Sequence, residues 1–155
     1  MTRIRTATTD DAALLAGLNE AVHDLHVRHR PDLFLAAPEA EAAFAERLAD
    51  PSVTVLIAAG DDGEAVGYAL ARVVQWPGGP FTGPDEVAVL DQLAVSPAAA
   101  RTGVGSALLE AVRAAGRDAG CRRLVTNVWD FNEDARAFYR ASGLRPMNRM
   151  LDQLL

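Results

Sequence analysis

Apolar residues follow two different periods along the 155-residue chain. Leu14, Leu15, Leu18, Val22 and Leu25 recur at helical spacing, which predicts a first helix reaching about Val27. Thr8-Thr9-Asp10-Asp11 precede it, and their side-chain oxygens suit the free amides of a first turn. Pro31 closes this stretch, and Leu33-Phe34-Leu35 is an apolar loop. Arg3 to Ala7 reads as a short strand, and Pro38 to Leu48 as a second helix with Phe44 and Leu48 on one face. The period then shortens. Val53 to Ala59 and Ala65 to Val74 flank Gly60-Asp61-Asp62-Gly63, which predicts a hairpin around an Asp-Gly turn. Trp76 to Pro84 is a loop rich in Gly and Pro, and Glu86 to Val95 another strand. Pro97 to Thr102 is a loop before a helix over Gly103 to Ala119, with the stripe Val104, Ala107, Leu108, Ala111, Val112 and Ala115. Arg122 to Trp129 is a strand, and Asn132 to Ser142 a helix ending at Gly143. Leu144 to Leu151 is expected to be a last short strand, interrupted early by Pro146.

The order β-α-α-β-β-β-α-β-α-β places antiparallel hairpins before a βαβ crossover. It predicts an α/β fold with a mixed, mainly antiparallel sheet and helices on both faces. Without repeat, linker or low-complexity tract, residues 1–155 read as one domain. A composition 50% hydrophobic and 23% charged excludes a disordered chain or a disulfide scaffold. No apolar run approaches the roughly 18 residues needed to cross a bilayer, and Met1 to Asp11 has no apolar signal region. Without such a run no membrane partner is expected, and the single cysteine, Cys121, fits a reducing cytosol and reads as an inert thiol. The net charge of −6 argues against a nucleic-acid partner. All the basic residues are arginine, which removes Schiff-base and P-loop lysines.

Leu93-Ala94-Val95-Ser96-Pro97-Ala98-Ala99-Ala100-Arg101-Thr102-Gly103-Val104-Gly105-Ser106 carries the most chemistry. A strand ends, a small-residue loop follows, and glycines open a helix whose first amides have no internal acceptors. Such an end attracts phosphate, and Arg101 can add a charge-assisted contact. A Walker loop needs Gly-Lys-Ser/Thr, which is absent. A Rossmann loop needs a third glycine where Leu108 stands. An acyl-CoA loop of the form Arg/Gln-x-x-Gly-x-Gly/Ala matches at Gly103 and Gly105, with Ala100 in the leading position and arginine one residue later. Glycines serving only tight packing are the structural alternative.

Asn132-Glu133-Asp134-Ala135-Arg136-Ala137-Phe138-Tyr139-Arg140-Ala141-Ser142-Gly143-Leu144 resembles the Asn-x-x-Ala-x-x-Phe-Tyr-x-x-x-Gly-Phe/Leu helix of the GNAT acyltransferase superfamily. The loop above resembles that family's CoA-binding motif. Ile4 to Asp11 and Gly63 to Ala69 look like its first strand and its second hairpin, so the likeness covers nearly the whole chain in order. The resemblance implies a sheet of six to seven strands flanked by four helices, acetyl-CoA as co-substrate, and an amine acceptor. It implies that Leu93, Ala94, Val95, Arg101, Thr102, Gly103, Val104, Gly105, Ser106 and Asn132 bind CoA, and that the Tyr139 hydroxyl lies near the sulfur. It also implies a homodimer in many members. Spacing adds its own argument: Asn132 and Tyr139 lie seven residues apart, on one helix face and about 10.5 Å apart along the axis. A phenol can assist a departing thiolate.

On the acceptor side, Asp91 precedes Leu93 and Val95 by two and four residues, so period-two alternation puts it on their face. Asp91 is the candidate for taking the amine proton through water or holding an ammonium, with Glu86 a second carboxylate. Either can instead be a solvated or ion-paired surface group. His23, His26 and His29 span an arc of about 120°, too wide for a compact ligand set, so no metal is expected. His29, Phe34, Trp76 and Trp129 are the candidates for shaping the acceptor pocket. The function expected is an acetyl-CoA-dependent N-acetyltransferase using direct transfer. A silent acyl-CoA-binding module and a transferase of longer acyl groups are the alternatives.

Overall fold

Five strands form where the short period predicts them. The computed structural model describes residues 1–36 and 38–155. Its elements run β1 (Arg3–Thr6), α1 (Ala12–His29), α2 (Ala40–Ala49), β2 (Val53–Ala59), β3 (Ala65–Trp76), β4 (Asp85–Val95), α3 (Val104–Asp118), β5 (Arg123–Thr126) and α4 (Glu133–Ala141). The five strands pair in sequence order. All neighbours are antiparallel except β4 and β5, which are parallel. The expected sheet of six to seven strands is therefore corrected to five among the described residues. The expected last strand over Leu144 to Leu151 does not form: the chain there is irregular and, beyond Leu144, exposed. Pro146 has no N–H to donate to a ladder, and past Leu144, which packs on the α3 cluster, the apolar side chains face no core, with Met150 96% and Leu151 90% exposed.

Both faces of the sheet are covered, so the central strands bury side chains in both directions. On one face Leu15 of α1 and Phe44 of α2 pack on Val55, Ile57, Tyr68, Leu70 and Ala94. On the other, Val104, Leu108, Leu109 and Val112 of α3 pack on Ala58, Ala69, Ala71 and Leu90. Gly67 makes the second contact possible: a Cβ there would lie 2.7 Å from the Ala94 carbonyl and 3.3 Å from both Leu108 and Val104. The entry to α1 is fixed by Asp11, which is buried. It accepts from the Thr8 amide at 2.7 Å and takes both arms of the Arg5 guanidinium at 2.7 and 2.8 Å, an end-closing pattern of the capping-box kind.

Two features of β4 shape the space beside it. First, the β3–β4 register shifts between Leu70 and Ala71: Leu70 pairs with Gln92, but Ala71 pairs with Leu90. Asp91 is the extra residue of a bulge. The alternation read from sequence breaks there: Leu93 and Val95 pack on the α3 cluster, whereas Asp91 binds Arg72, which alternation from Tyr68 and Leu70 places on the α1 face. Second, β5 pairs with β4 only from Val87↔Arg123 to Leu90↔Thr126. Beyond that rung the two strands part.

Candidate active site

The gap between β4 and β5 opens after Leu90, and its β4 wall is polar backbone. Ser96 N–H donates to the Val66 carbonyl at 2.8 Å, so the Ser96–Val66 pair is a hydrogen-bonded one. In an antiparallel ladder such pairs alternate. Leu93 and Val95, opposite Ala69 and Gly67, therefore aim their N–H and C=O groups away from β3, toward the space β5 has vacated. At the apex of the gap Thr126 Oγ1 donates to the Leu90 carbonyl at 2.9 Å.

The helix in front of the gap is fitted for an anion. The first backbone bond of α3 runs from Ala107 N–H to the Gly103 carbonyl at 3.0 Å. The amides of Gly103, Val104, Gly105 and Ser106 thus precede the intrahelical ladder, and no side chain caps this end. Gly103 adopts φ +90°, with open space where a Cβ would be. Arg101 also takes a left-handed conformation, φ 62°, so the loop turns its amides along one concave edge, as anion-binding backbone nests do. Thr102 spends its hydroxyl inside the loop, donating to the Ala99 carbonyl at 2.6 Å. Gly105 serves packing instead. A Cβ there would meet the Phe138 ring at 3.3 Å, so this glycine lets α4 approach α3. The uncapped amides and the open, left-handed Gly103 fit the phosphate end of a nucleotide-tailed thioester.

Helix α4 closes the third side. Asn132 caps it, its Oδ1 accepting from Ala135 N–H at 3.1 Å, which leaves the carboxamide NH2 available to a ligand. Tyr139 packs on the α3 cluster with its ring 5.2 Å from that of Phe138. Burial pushes its hydroxyl above the ordinary tyrosine range, and the neighbouring Thr126 side chain draws it partly back. The hydroxyl is therefore near the apex where β4 and β5 separate. Among the described residues no group of three His, Cys, Asp or Glu is placed to hold a metal. No described helix is long and apolar enough to cross a membrane.

The acceptor candidates divide. Asp91 lies at the bulge, 2.7 Å from Arg72 Nε. Beside it the Tyr68 hydroxyl lies 2.9 Å from Asn19 Oδ1 and 2.7 Å from Gln92 Oε1. One hydroxyl proton satisfies one of these, so the other amide must turn its NH2 toward Tyr68. His29 stacks on Phe131, centroids 4.6 Å apart, and Phe34 meets Trp129 edge-on at 5.4 Å. Trp76 stands apart: it pairs with Asp85, five strand residues or about 17 Å from Leu90. There it lines a hollow with Pro77, Pro84, Asp85, Glu86 and Arg122, so Glu86 too lies away from the gap. Cys121 is held above the usual thiol range by burial and by Glu86 and Asp85, as an inert thiol would be. The sequence did not single out Thr126, Gln92, Asn19 or Phe131. Thr126 reads as an ordinary strand residue, and nothing local marks Asn19 and Gln92 as partners of one tyrosine.

This geometry agrees with what the chain is similar to. Residues 19–144 match the acetyltransferase (GNAT) family. An aminoglycoside N(6')-acetyltransferase type 1 of Stenotrophomonas maltophilia is 35% identical over 149 residues, covering 96% of this chain and 89% of the relative. An uncharacterized N-acetyltransferase of Mycobacterium tuberculosis is 33% identical over 112 residues, 72% of this chain and 65% of that protein. Among solved structures, a tetramutant of the BH1408 protein from Bacillus halodurans superposes with a TM-score of 0.91 at 27% identity, over 99% of each chain. Aminoglycoside N-acetyltransferase AAC(6')-Iy in complex with CoA shares the fold, with a TM-score of 0.74 at 24% identity over 100% of this chain and 95% of that one. Parted strands, an uncapped glycine-fronted helix and kinship over most of the sequence converge on one conclusion: the chain belongs to the acetyltransferase (GNAT) family and is an acetyltransferase.

Proposed function

We propose that this chain, residues 1–155 acting as one domain, transfers an acetyl group from acetyl-CoA to a primary amine of a small molecule or protein within a single ternary complex. The observation that carries the reading is the gap itself. It has free strand amides on one wall, an uncapped helix end in front, and a tyrosine hydroxyl near its apex. The pyrophosphate sits on the amides of Gly103 to Ser106, with Arg101 and Thr102 beside it, where unsatisfied N–H groups and the helix dipole favour negative charge. The pantetheine arm lies along Leu93, Ala94 and Val95 as an added strand would, with the Asn132 carboxamide on its other side.

In this reading a backbone N–H of β4 polarises the acyl carbonyl and holds the oxyanion that forms when the amine attacks. The carbon–sulfur bond then breaks and the sulfur leaves as a thiolate. A thiol loses its proton near pH 8.5 and a phenol near pH 10, so Tyr139 stays protonated and stabilises the thiolate by hydrogen bonding. Asp91, which already answers Arg72, takes the amine proton through water. The aminoglycoside N(6')-acetyltransferase relative and the CoA complex of AAC(6')-Iy support an amine acceptor and CoA use. The single cysteine suits a cytoplasmic location, and the exposed apolar tail, with Leu154 84% exposed, suits a homodimer in which a second copy covers it.

Thermal melting with acetyl-CoA tests the reading: at a hundred times its dissociation constant a ligand adds about 2.7 kcal/mol, which raises the midpoint by roughly 5–10 °C in a domain of this size. A flat response refutes CoA use. Release of free thiol with an amine panel then separates enzyme from binder. Binding without release leaves a silent acyl-CoA-binding module, and release only with longer acyl-CoA leaves the longer-acyl transferase.

A further inference from the structure

We infer that the acceptor is a monoamine carried on an aromatic or flat apolar body and not a polycation, a reading that rests on the acetyl transfer proposed above. Helix α1 crosses the mouth of the gap on the face opposite α3. Asn19 touches Tyr68, which in turn touches Gln92 of β4. Seven residues further on, about 10.5 Å along the axis and within about 20° of the same helix face, His26 meets the loop that leaves β5. Its ring centroid lies 6.4 Å from that of Trp129 and 5.7 Å from that of Phe131. The mouth is thus bounded by Gln92 at one end and by rings at the other.

Those rings form one continuous wall. His26 stacks on Phe34 at 4.9 Å, and Trp129 stacks on Phe131 at 5.8 Å. Trp129 remains 38% exposed and so within reach of a ligand. Most of the carboxylates nearby are already answered. Asp32 and Asp152 both bind Arg30, at 2.8 and 2.7 Å, and that guanidinium lies 5.7 Å over the Trp129 ring. Asp91 holds Arg72, while Asp130 faces solvent, 89% exposed with Arg136 no nearer than 3.6 Å, a single carboxylate open to a single ammonium. Asp24 belongs to the opposite face of α1, with Ala21 and Arg28.

A polycationic acceptor would have to shed water from several ammonium groups, which requires several carboxylates free to receive them. This mouth offers rings instead. Rings favour a flat apolar body through edge and face contacts, and tolerate a single ammonium through cation–π attraction. The relative named for aminoglycosides would then differ from this chain in acceptor while sharing the transfer chemistry.

The test compares 2-phenylethylamine with kanamycin, following free-thiol release from acetyl-CoA. The expected result is a kcat/KM at least about tenfold higher for the aryl amine; equal or reversed preference overturns the inference. Trp129→Ala should raise KM for the aryl amine about fivefold or more with CoA affinity unchanged, and an unmoved KM overturns it. Loss of this indole also loosens the loop, so a second readout is needed. The chain has two tryptophans, and in a Trp76→Phe background Trp129 alone emits. With CoA bound, 2-phenylethylamine should change that emission and kanamycin should not; no change with the aryl amine overturns the inference. If acetyl-CoA gives no thermal shift, the transfer reading itself has failed. If it does and the aryl amine is neither bound nor acetylated, only the acceptor assignment falls.

Discussion

Replacing Tyr139 by Phe keeps a ring against Phe138 and the α3 cluster and removes one hydroxyl from near the apex of the gap. Two quantities follow. The first is stability. Thr126 Oγ1 still donates to the Leu90 carbonyl after the change, so no buried donor loses its acceptor. The cost is at most that of one neutral polar contact, about 1 kcal/mol or less, which lowers the melting midpoint by no more than roughly 2–4 °C. The second is rate. A thioester sulfur is a poor acceptor and a thiolate a good one, so the hydroxyl acts mainly as the carbon–sulfur bond breaks. A hydrogen bond to a charged group contributes about 1.5–3 kcal/mol, equivalent to about 10–150-fold in kcat. Binding of CoA by the ground state should change less than about threefold, because that contact is not yet made. Thiol release at saturating acetyl-CoA gives kcat, and calorimetric titration with CoA gives affinity. A kcat within twofold of the parent would refute the role of Tyr139 at the sulfur; equal losses in kcat and CoA affinity would reduce it to a binding group.

Three further outcomes are expected. Gly67→Ala pushes a methyl group to within 2.7 Å of the Ala94 carbonyl of β4 and should cost about 1–3 kcal/mol in a urea melt; a loss under about 0.5 kcal/mol would show that β3 can shift freely against β4 and α3. Asp11 is held well below the usual carboxylate range, chiefly by the Arg5 guanidinium. Its stabilisation is complete above the unfolded pKa of about 3.9 and fades as pH falls toward the lower folded value. Asp11→Asn should therefore cost about 1–2 kcal/mol at pH 7 and progressively less in acid, and a pH-independent difference would contradict the pairing. Burial, with a smaller push from His23, holds His26 below the usual histidine range. The unfolded chain then takes up the proton first, so the melting midpoint should fall as pH drops below about 6.5. His26→Phe should flatten that slope, and an unaltered slope assigns it elsewhere.

Much of the molecule is determined by local sequence. The hairpin of β2 and β3 follows from two β-branched runs around Gly60 to Gly63, and α3 from the stripe that begins at Val104. The glycine loop and the Asn132 to Leu144 helix pointed to an acyl-CoA site because their spacing is itself the signal. What tertiary structure decided is where pairing stops. Period-two alternation would continue through Asp91, but pairing with β3 makes Asp91 the extra residue of a bulge in β4 and sends that carboxylate to Arg72. A strand read as far as Trp129 ends at Thr126, where its pairing with β4 stops at Leu90. Leu144 to Leu151 has strand-like residues but no partner among the described ones. The ring wall joins α1, the Phe34 loop and the Trp129 loop across about a hundred residues of sequence. Apolar period reports which side of an element is buried, and that is a local property of the chain. Where two strands separate, and which distant rings meet, depends on pairing energies between segments far apart in sequence, so only the folded chain determines the gap in which the chemistry sits.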